Sequence, residues 1–403
     1  MISMRATGHR LCAFVVTVLA AGCGGKVPGG GGAGGGGERS GSGAPEQAAD
    51  TNGAAGASGA AAAPAPDDAG AATGAGLPSV AVSGGGAAPV FVGSSPSSTP
   101  QAPPPSQAQL VTLAGGQTCP WGMAIDATSV YWTDCGDPTG GTVQKVPKTG
   151  GAIVTLASGD VLSGITVEGS NVYWVARTAD ESGAIKTVPV AGGTPMVVAA
   201  QSGAPSHIVA DASYVYWGEL NGGGVMKAPL GGGAVTMVAP ATLAFQIALG
   251  DTAVFWMDAP GLMTAPKTGG APMSLAPAFG PPLPTGGIAV DATTVYFSTG
   301  RPNAAGISDV PIDGGAVSPV ASTPASNGSG PVAIDATRVY WADMSGAVYA
   351  APLSGGTATL LAIGQDNVDA IAVDDSAVYW LVNGNGSPGG VMELPLSAVE
   401  PTP

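Results

Sequence analysis

Residues 123–134 read MAIDATSVYWTD: an apolar run, an acidic turn, then Val followed by two aromatics. The pattern returns six times, at 165–176 (ITVEGSNVYWVA), 208–219 (IVADASYVYWGE), 247–258 (IALGDTAVFWMD), 288–299 (IAVDATTVYFST), 332–343 (VAIDATRVYWAD) and 371–382 (IAVDDSAVYWLV). The first aromatics fall at Tyr131, Tyr173, Tyr216, Phe255, Tyr296, Tyr340 and Tyr379, with spacings of 42, 43, 39, 41, 44 and 39 residues.

Each unit continues alike. A variable loop leads to an apolar run ending in Pro-x-x-Gly-Gly, such as VPKTGG from Val146, APKTGG from Ala265 and VPIDGG from Val310. A short apolar run then closes the unit, as VTLA does at 154–157. That makes four strands per unit. The Asp-Ala-Thr step is a tight turn between the first two, because an Asp side chain satisfies nearby backbone N–H groups. Gly-Gly supplies the positive φ needed between the third and fourth. Pro lacks an N–H, so it belongs at the end of the third strand. A period near 41 residues, built of four short strands, predicts propeller blades, and seven units predict an all-β, seven-bladed β-propeller with four antiparallel strands per blade.

A blade lies between two others, so both its faces are buried and its strands read as continuous apolar runs. Six of the seven Trp share one repeat position, and Phe297 takes the seventh place. These aromatics read as packing between blades. The seventh unit ends after its third strand, at 391–396 (VMELPL), while an orphan strand, QLVTLA at 109–114, precedes the first unit. Pairing of 110–114 with 391–396 closes the ring and removes exposed strand edges.

Tyr131-Trp132-Thr133-Asp134, after Gly122-Met123-Ala124-Ile125-Asp126, resembles the YWTD and NHL type of β-propeller repeat. The resemblance runs from Gln109 to about Leu396. It departs from the family in blade number, since the best known members have six, and only one unit keeps Thr and Asp after Tyr-Trp. It implies the fold, and ligand binding on the face that carries the loops before the first strands and after the second strands.

The N-terminal quarter is different material. Arg5 and Arg10 precede an eleven-residue apolar run, residues 11–21, which suits a signal peptide and is too short to span a bilayer. Leu19-Ala20-Ala21-Gly22-Cys23 resembles the bacterial lipobox, which implies lipidation of Cys23, and Gly24 in place of Asp implies the outer membrane over the inner. Residues 24–107 hold 22 Gly, 20 Ala, 11 Pro and 10 Ser, a composition that cannot bury a core and predicts a flexible tether. The expected organisation is therefore a signal peptide (1–22), a lipidated Cys and tether (23–107), a propeller (108–399) and a tail (400–403).

Charge excludes several functions. The chain has 12 Lys+Arg against 27 Asp+Glu, a net of −15, and no basic stripe for nucleic acid or for a peripheral membrane contact. The two His are His9, in the segment read as removed, and His207. There is no HExxH, GxSxG or Walker loop, and the GxGxxG at 384–389 lies between two strands. Cys119 and Cys135 flank the first two strands of unit one; in an exported protein they read as a disulfide, with two free thiols as the alternative. The candidate binding face comprises Trp121, Asp134, Asp137, His207, Glu219, Gln246, Asp258, Arg301, Asp343 and Asp369, residues of loops that vary while the framework repeats. No catalytic residue, metal ligand or cofactor is assigned; calcium on the clustered carboxylates is a weaker option, since calcium-loop spacing is missing. The expected function is protein or glycan binding at the cell envelope by a lipid-anchored monomer. The alternative is a small-ligand binder, or a hydrolase or lyase, using the channel mouth near His207.

Overall fold

The computed structural model describes residues 109–134, 140–177, 183–277, 286–298, 306–323, 328–384 and 388–399. Among them are twenty-eight strands, numbered β1 to β28 in chain order, in seven four-stranded sheets. The fold is a seven-bladed β-propeller. Blade 1 shows the plan: β2 (Pro120–Ile125), β3 (Ser129–Asp134), β4 (Thr142–Pro147) and β5 (Val154–Ser158) pair in that order, each antiparallel to the next. First strands pack side by side around the centre. They are β2, β6 (Val161–Glu168), β10 (Pro205–Ala210), β14 (Ile247–Leu249), β18 (Ile288–Val290), β22 (Ser329–Ile334) and β26 (Val368–Val373), and β26 returns to β2.

The turns form for the reasons visible in the repeat. Asp126 Oδ1 accepts the backbone N–H groups of Thr128 (2.7 Å) and Ser129 (2.8 Å), and Asp211 and Asp335 repeat the arrangement. The second carboxylate oxygen accepts the hydroxyl of the Tyr five residues on: Tyr131 at 2.6 Å, Tyr216 at 3.0 Å and Tyr340 at 2.7 Å. Burial raises the Asp126 carboxyl, but the Tyr131 and Thr128 donors outweigh it and leave its pKa below the usual value. Every third strand ends on its Pro, from Pro147 to Pro395, where no ladder donor is needed. Gly150 and Gly151, at φ 78° and 133°, carry the following hairpin.

The core is a ring of seven equivalent clusters. In each, the Tyr or Phe of one blade packs with the Trp or Phe of the next: Tyr131 with Trp174, Tyr173 with Trp217, Tyr216 with Trp256, Phe255 with Phe297, Tyr296 with Trp341, Tyr340 with Trp380, and Tyr379 with Trp132. Side chains on opposite faces of one strand thus serve two interfaces.

The ring closes as the orphan strand predicts. β1 (Val111–Gln117) pairs antiparallel with β28 (Gly389–Pro395), Val111 facing Glu393 and Ala114 facing Val391. The strand runs three residues past the predicted end at Ala114, as far as Gln117, because irregularities at Thr112/Ala114 and Gly115/Gln117 let the ladder continue. Gln117 Oε1 then accepts the Trp132 indole N–H at 3.0 Å, tying the closing strand to blade 1. Lys148 of blade 1 also crosses the seam to Asp374 of blade 7, with its ammonium 5.2 Å from the Tyr379 ring centroid. Burial raises the Asp374 carboxyl, yet Lys148 and the Ser376 donors hold its pKa near 2.

Cys119, expected to bridge to Cys135, is buried and its sulfur is disulfide-bonded; Cys135 lies outside the described residues. The loop before β2 is also held to the end of β3 by a carboxylate: Asp134 accepts the N–H groups of Thr118 and Cys119 at 3.0 and 3.1 Å.

Removing residues up to Gln117 should leave β28 as an open edge. The truncated chain is expected to melt at least ~5 °C lower and to self-associate in size-exclusion chromatography. A monomer with an unchanged melting temperature would show that β1 is dispensable for closure.

Candidate functional site at the channel mouth

Loops before the first strands and after the second strands meet at one end of the ring. Of the residues expected there, Asp137 and Arg301 lie outside the described residues, as does the lipidation site Cys23. Several others stand inside strands rather than in loops: Trp121 on β2, His207 on β10 and Asp369 on β26, all half-buried.

Four of the expected carboxylates are buried and already engaged. Asp134 holds the amides of Thr118 and Cys119. Asp258 does the same with Thr242 (3.0 Å) and Leu243 (2.9 Å), and also accepts from Ala259. Asp343 accepts the N–H of Ser345 (2.9 Å) and of Ala347 (3.1 Å), and the Tyr349 hydroxyl (3.3 Å). Glu219 accepts the Trp217 indole N–H at 2.9 Å; burial raises its pKa against that bond and backbone donors at Ala204 and Gly203. Each side chain at the end of a second strand therefore fastens a neighbouring loop of its own blade. Their acidity serves the framework, because a buried carboxylate is stable where several N–H groups point at it.

Two places at the mouth differ. On blades 3 and 4, the His207 ring lies 5.4 Å from the Phe245 ring, centroid to centroid. Its Nδ1 is enclosed without a hydrogen-bond partner, and burial pushes its pKa down to about 4 against a backbone hydrogen bond at Phe245. Gln246 follows, with its carbonyl accepting the Met257 N–H at 3.0 Å. The equivalent position is Gly122 in blade 1 and Gly164 in blade 2, where an added Cβ would come 2.9 and 2.8 Å from backbone oxygens of the next blade. Blades 3 and 4 hold larger side chains where those two blades have no room for one.

The second place is on blade 7. Asp369 Oδ1 accepts the Asn367 carboxamide at 3.0 Å, and Oδ2 accepts that of Asn383 at 2.6 Å. Asn367 has φ 56°, the sole positive φ of a non-glycine among the described residues. Its carbonyl also accepts the Asn383 N–H at 3.0 Å, which joins the loop before β26 to the loop after β27 (Ala377–Val382). Burial raises the Asp369 pKa to about 6, opposed by the two amides. Among the described residues no group of three or more His, Cys, Asp and Glu could hold a metal ion.

Asp369 was expected on the binding face from its loop position. Its two partners sit 2 residues before it and 14 residues after it, and only the β26–β27 pairing brings all three together.

No family model matches this chain, and no curated protein does. Solved structures match by fold. The WD40 propeller domain of Doa1 is similar at TM-score 0.56 and 11% identity, over 72% of this chain and 97% of that one. The computationally designed Ika8 protein is similar at TM-score 0.51 and 14% identity, over 70% of this chain and 98% of its own. A chain of a nidogen/laminin complex aligns at TM-score 0.38 and 16% identity, over 60% and 82%. At these identities the first two likenesses establish the propeller fold alone.

The two perturbed groups at the mouth have opposite linkage. His207 has a folded pKa below its unfolded value near 6.5, so stability present above that value is lost as pH falls toward about 4. His207→Gln should flatten the melting curve against pH in this window. Asp369 has a raised folded pKa, so its contribution is present below about 3.8 and lost as pH rises through about 6. Asp369→Asn should raise the melting temperature at pH 7.5 and converge with the parent near pH 3.5. A constant offset across the range would contradict either assignment.

Proposed function

We propose that this chain is a non-catalytic binding module of the cell envelope. Its propeller is carried on the Gly/Ala/Pro/Ser-rich tether from a lipidated Cys23, at the outer membrane, and takes a protein or glycan ligand at the channel mouth. The repeat sequence supports a relation to YWTD and NHL propellers. The basic and apolar run of residues 5–21, followed by the lipobox-like Leu19-Ala20-Ala21-Gly22-Cys23, supports export and anchoring.

The observation that carries the binding reading is a contrast among carboxylates. Asp134, Asp258 and Asp343 are buried and accept backbone N–H groups of their own blade, whereas the Asp369 carboxylate is held by two side-chain amides at the mouth. A repeated framework with one divergent polar corner is where specificity is expected. The state of His207 favours binding over hydrolysis. A general base works best with a pKa near the working pH, and the half-buried His207 ring, whose Nδ1 is enclosed and whose pKa burial pushes down to about 4, is far from it.

Crosslinking in the native envelope, with capture through a C-terminal tag, should recover a partner that disappears with Asn383→Ala and Asp369→Asn. Cys23→Ser should move the chain out of the membrane fraction. Capture no better than from a tether-only chain would remove the binding reading. Unchanged fractionation of Cys23→Ser would remove the anchor.

A further inference from the structure

We propose that the outer strands of blades 2, 3 and 4 carry a site of reversible oxidation, in which the exposed thioethers of Met196, Met237 and Met273 each take one oxygen atom from a peroxide. The proposal goes beyond the binding reading and is independent of it, because it concerns the rim of the ring and not the channel mouth.

The first support is exposure. Methionine is among the residues most often buried. Nine lie among the described residues, and five of them are buried or half-buried. Met257 is fully enclosed, and Met263 is 9% exposed. Met196, Met237 and Met273 are instead 61%, 54% and 49% exposed, on β9 (Met196–Ser202), β13 (Thr236–Ala239) and β17 (Met273–Pro277). These are the last strands of three consecutive blades, each paired on one side only. Val197 follows Met196 and Val235 lies two residues before Met237, both exposed, so this arc of the rim is an apolar edge.

The second support is that the fold does not call for sulfur at these places. Met196 faces Thr187 and Met273 faces Thr264; the matching residues of blades 1, 3, 5 and 6 are Val154, Thr236, Ser318 and Thr359. Met237 faces Met226, and its counterparts in blades 1, 2, 4, 5 and 6 are Thr155, Val197, Ser274, Pro319 and Leu360. Apolar and polar side chains both fill these two positions. A thioether there changes its polarity without disturbing the core beneath.

The chemistry asks only for access. A sulfur lone pair attacks one oxygen of hydrogen peroxide, and the S–O bond forms as the O–O bond breaks. The leaving hydroxide takes the proton of the transferred hydroxyl and departs as water. Sulfur is oxidised by two electrons and the peroxide is reduced. At an exposed edge the sulfoxide accepts hydrogen bonds from water. At Met257, in the cluster of Phe255 and Phe297, it would be buried among apolar groups. A methionine sulfoxide reductase restores the thioether. Oxidation thus turns an apolar strand edge, the kind on which chains associate, into a polar one.

The test treats the full chain with hydrogen peroxide and follows each methionine by peptide mass spectrometry. Met196, Met237 and Met273 should gain oxygen at least about tenfold faster than Met257 and Met263. The melting temperature should stay within about 3 °C of the untreated chain. Retention on a hydrophobic-interaction column should fall, and reductases for both sulfoxide epimers, with a thiol reductant, should restore it. The triple variant Met196→Leu, Met237→Leu, Met273→Leu keeps volume and apolar character. It should hold its retention under the same treatment, although Met344, exposed after β23 (Arg338–Asp343), is still there to react. Equal rates at the exposed and buried positions overturn the proposal. A fall in retention that the triple variant shares, or that the reductases leave in place, overturns it too. So does a larger drop in melting temperature, since the oxygen would then have reached the core.

Discussion

The structure depends on one arrangement made seven times: an aromatic of one blade and an aromatic of the next are buried in the same hydrophobic cluster. Six of these pairs put a Trp with a Tyr, and one puts Phe255 with Phe297. A four-stranded sheet standing alone would expose both faces of such a strand. In the ring each face meets a neighbour, so burial is complete only when the seventh blade reaches the first. That requirement explains the hybrid blade in which β1 pairs with β28, and the Trp132–Gln117 and Lys148–Asp374 links across the same seam.

The same constraint assigns most of the acidic residues. At one end of the blades, a turn Asp binds two amides and a Tyr hydroxyl of its own hairpin. At the other end, Asp134 and Asp258 bind the amides of the loop that enters their blade, while Asp343 binds those of the loop that leaves its second strand. A strongly negative net charge is thus partly a consequence of building seven blades with carboxylate-capped turns. Against this background Asp369 stands apart, because its partners are side chains of two converging loops.

Both the fold and the strand that closes it were legible, since a period near 41 residues and a missing fourth strand are properties of sequence order. The turn chemistry was legible for the same reason: Asp126 and its amides are within three residues of one another. The candidate face was legible only as a set of loops. Asp134, Glu219, Asp258 and Asp343 carried the same signal as Asp369, namely an acidic residue beside a strand end. Whether such a carboxylate meets backbone amides or open side chains depends on bulges and on register, as at Pro120/Met123 and Val368/Ala370.

The sequence by itself determined the architecture, the number of blades, the way the ring shuts and the layer of aromatics that fills it. These follow from local pattern repeated at a fixed interval, which needs no knowledge of distant contacts. Tertiary structure alone decided which carboxylates meet backbone amides and which meet side chains. Asn367, Asp369 and Asn383 come together only because two strands pair, and Gly389 of the last blade meets Pro120 of the first only because the ring closes. Such long-range closure positions side chains by packing, which no local spacing encodes.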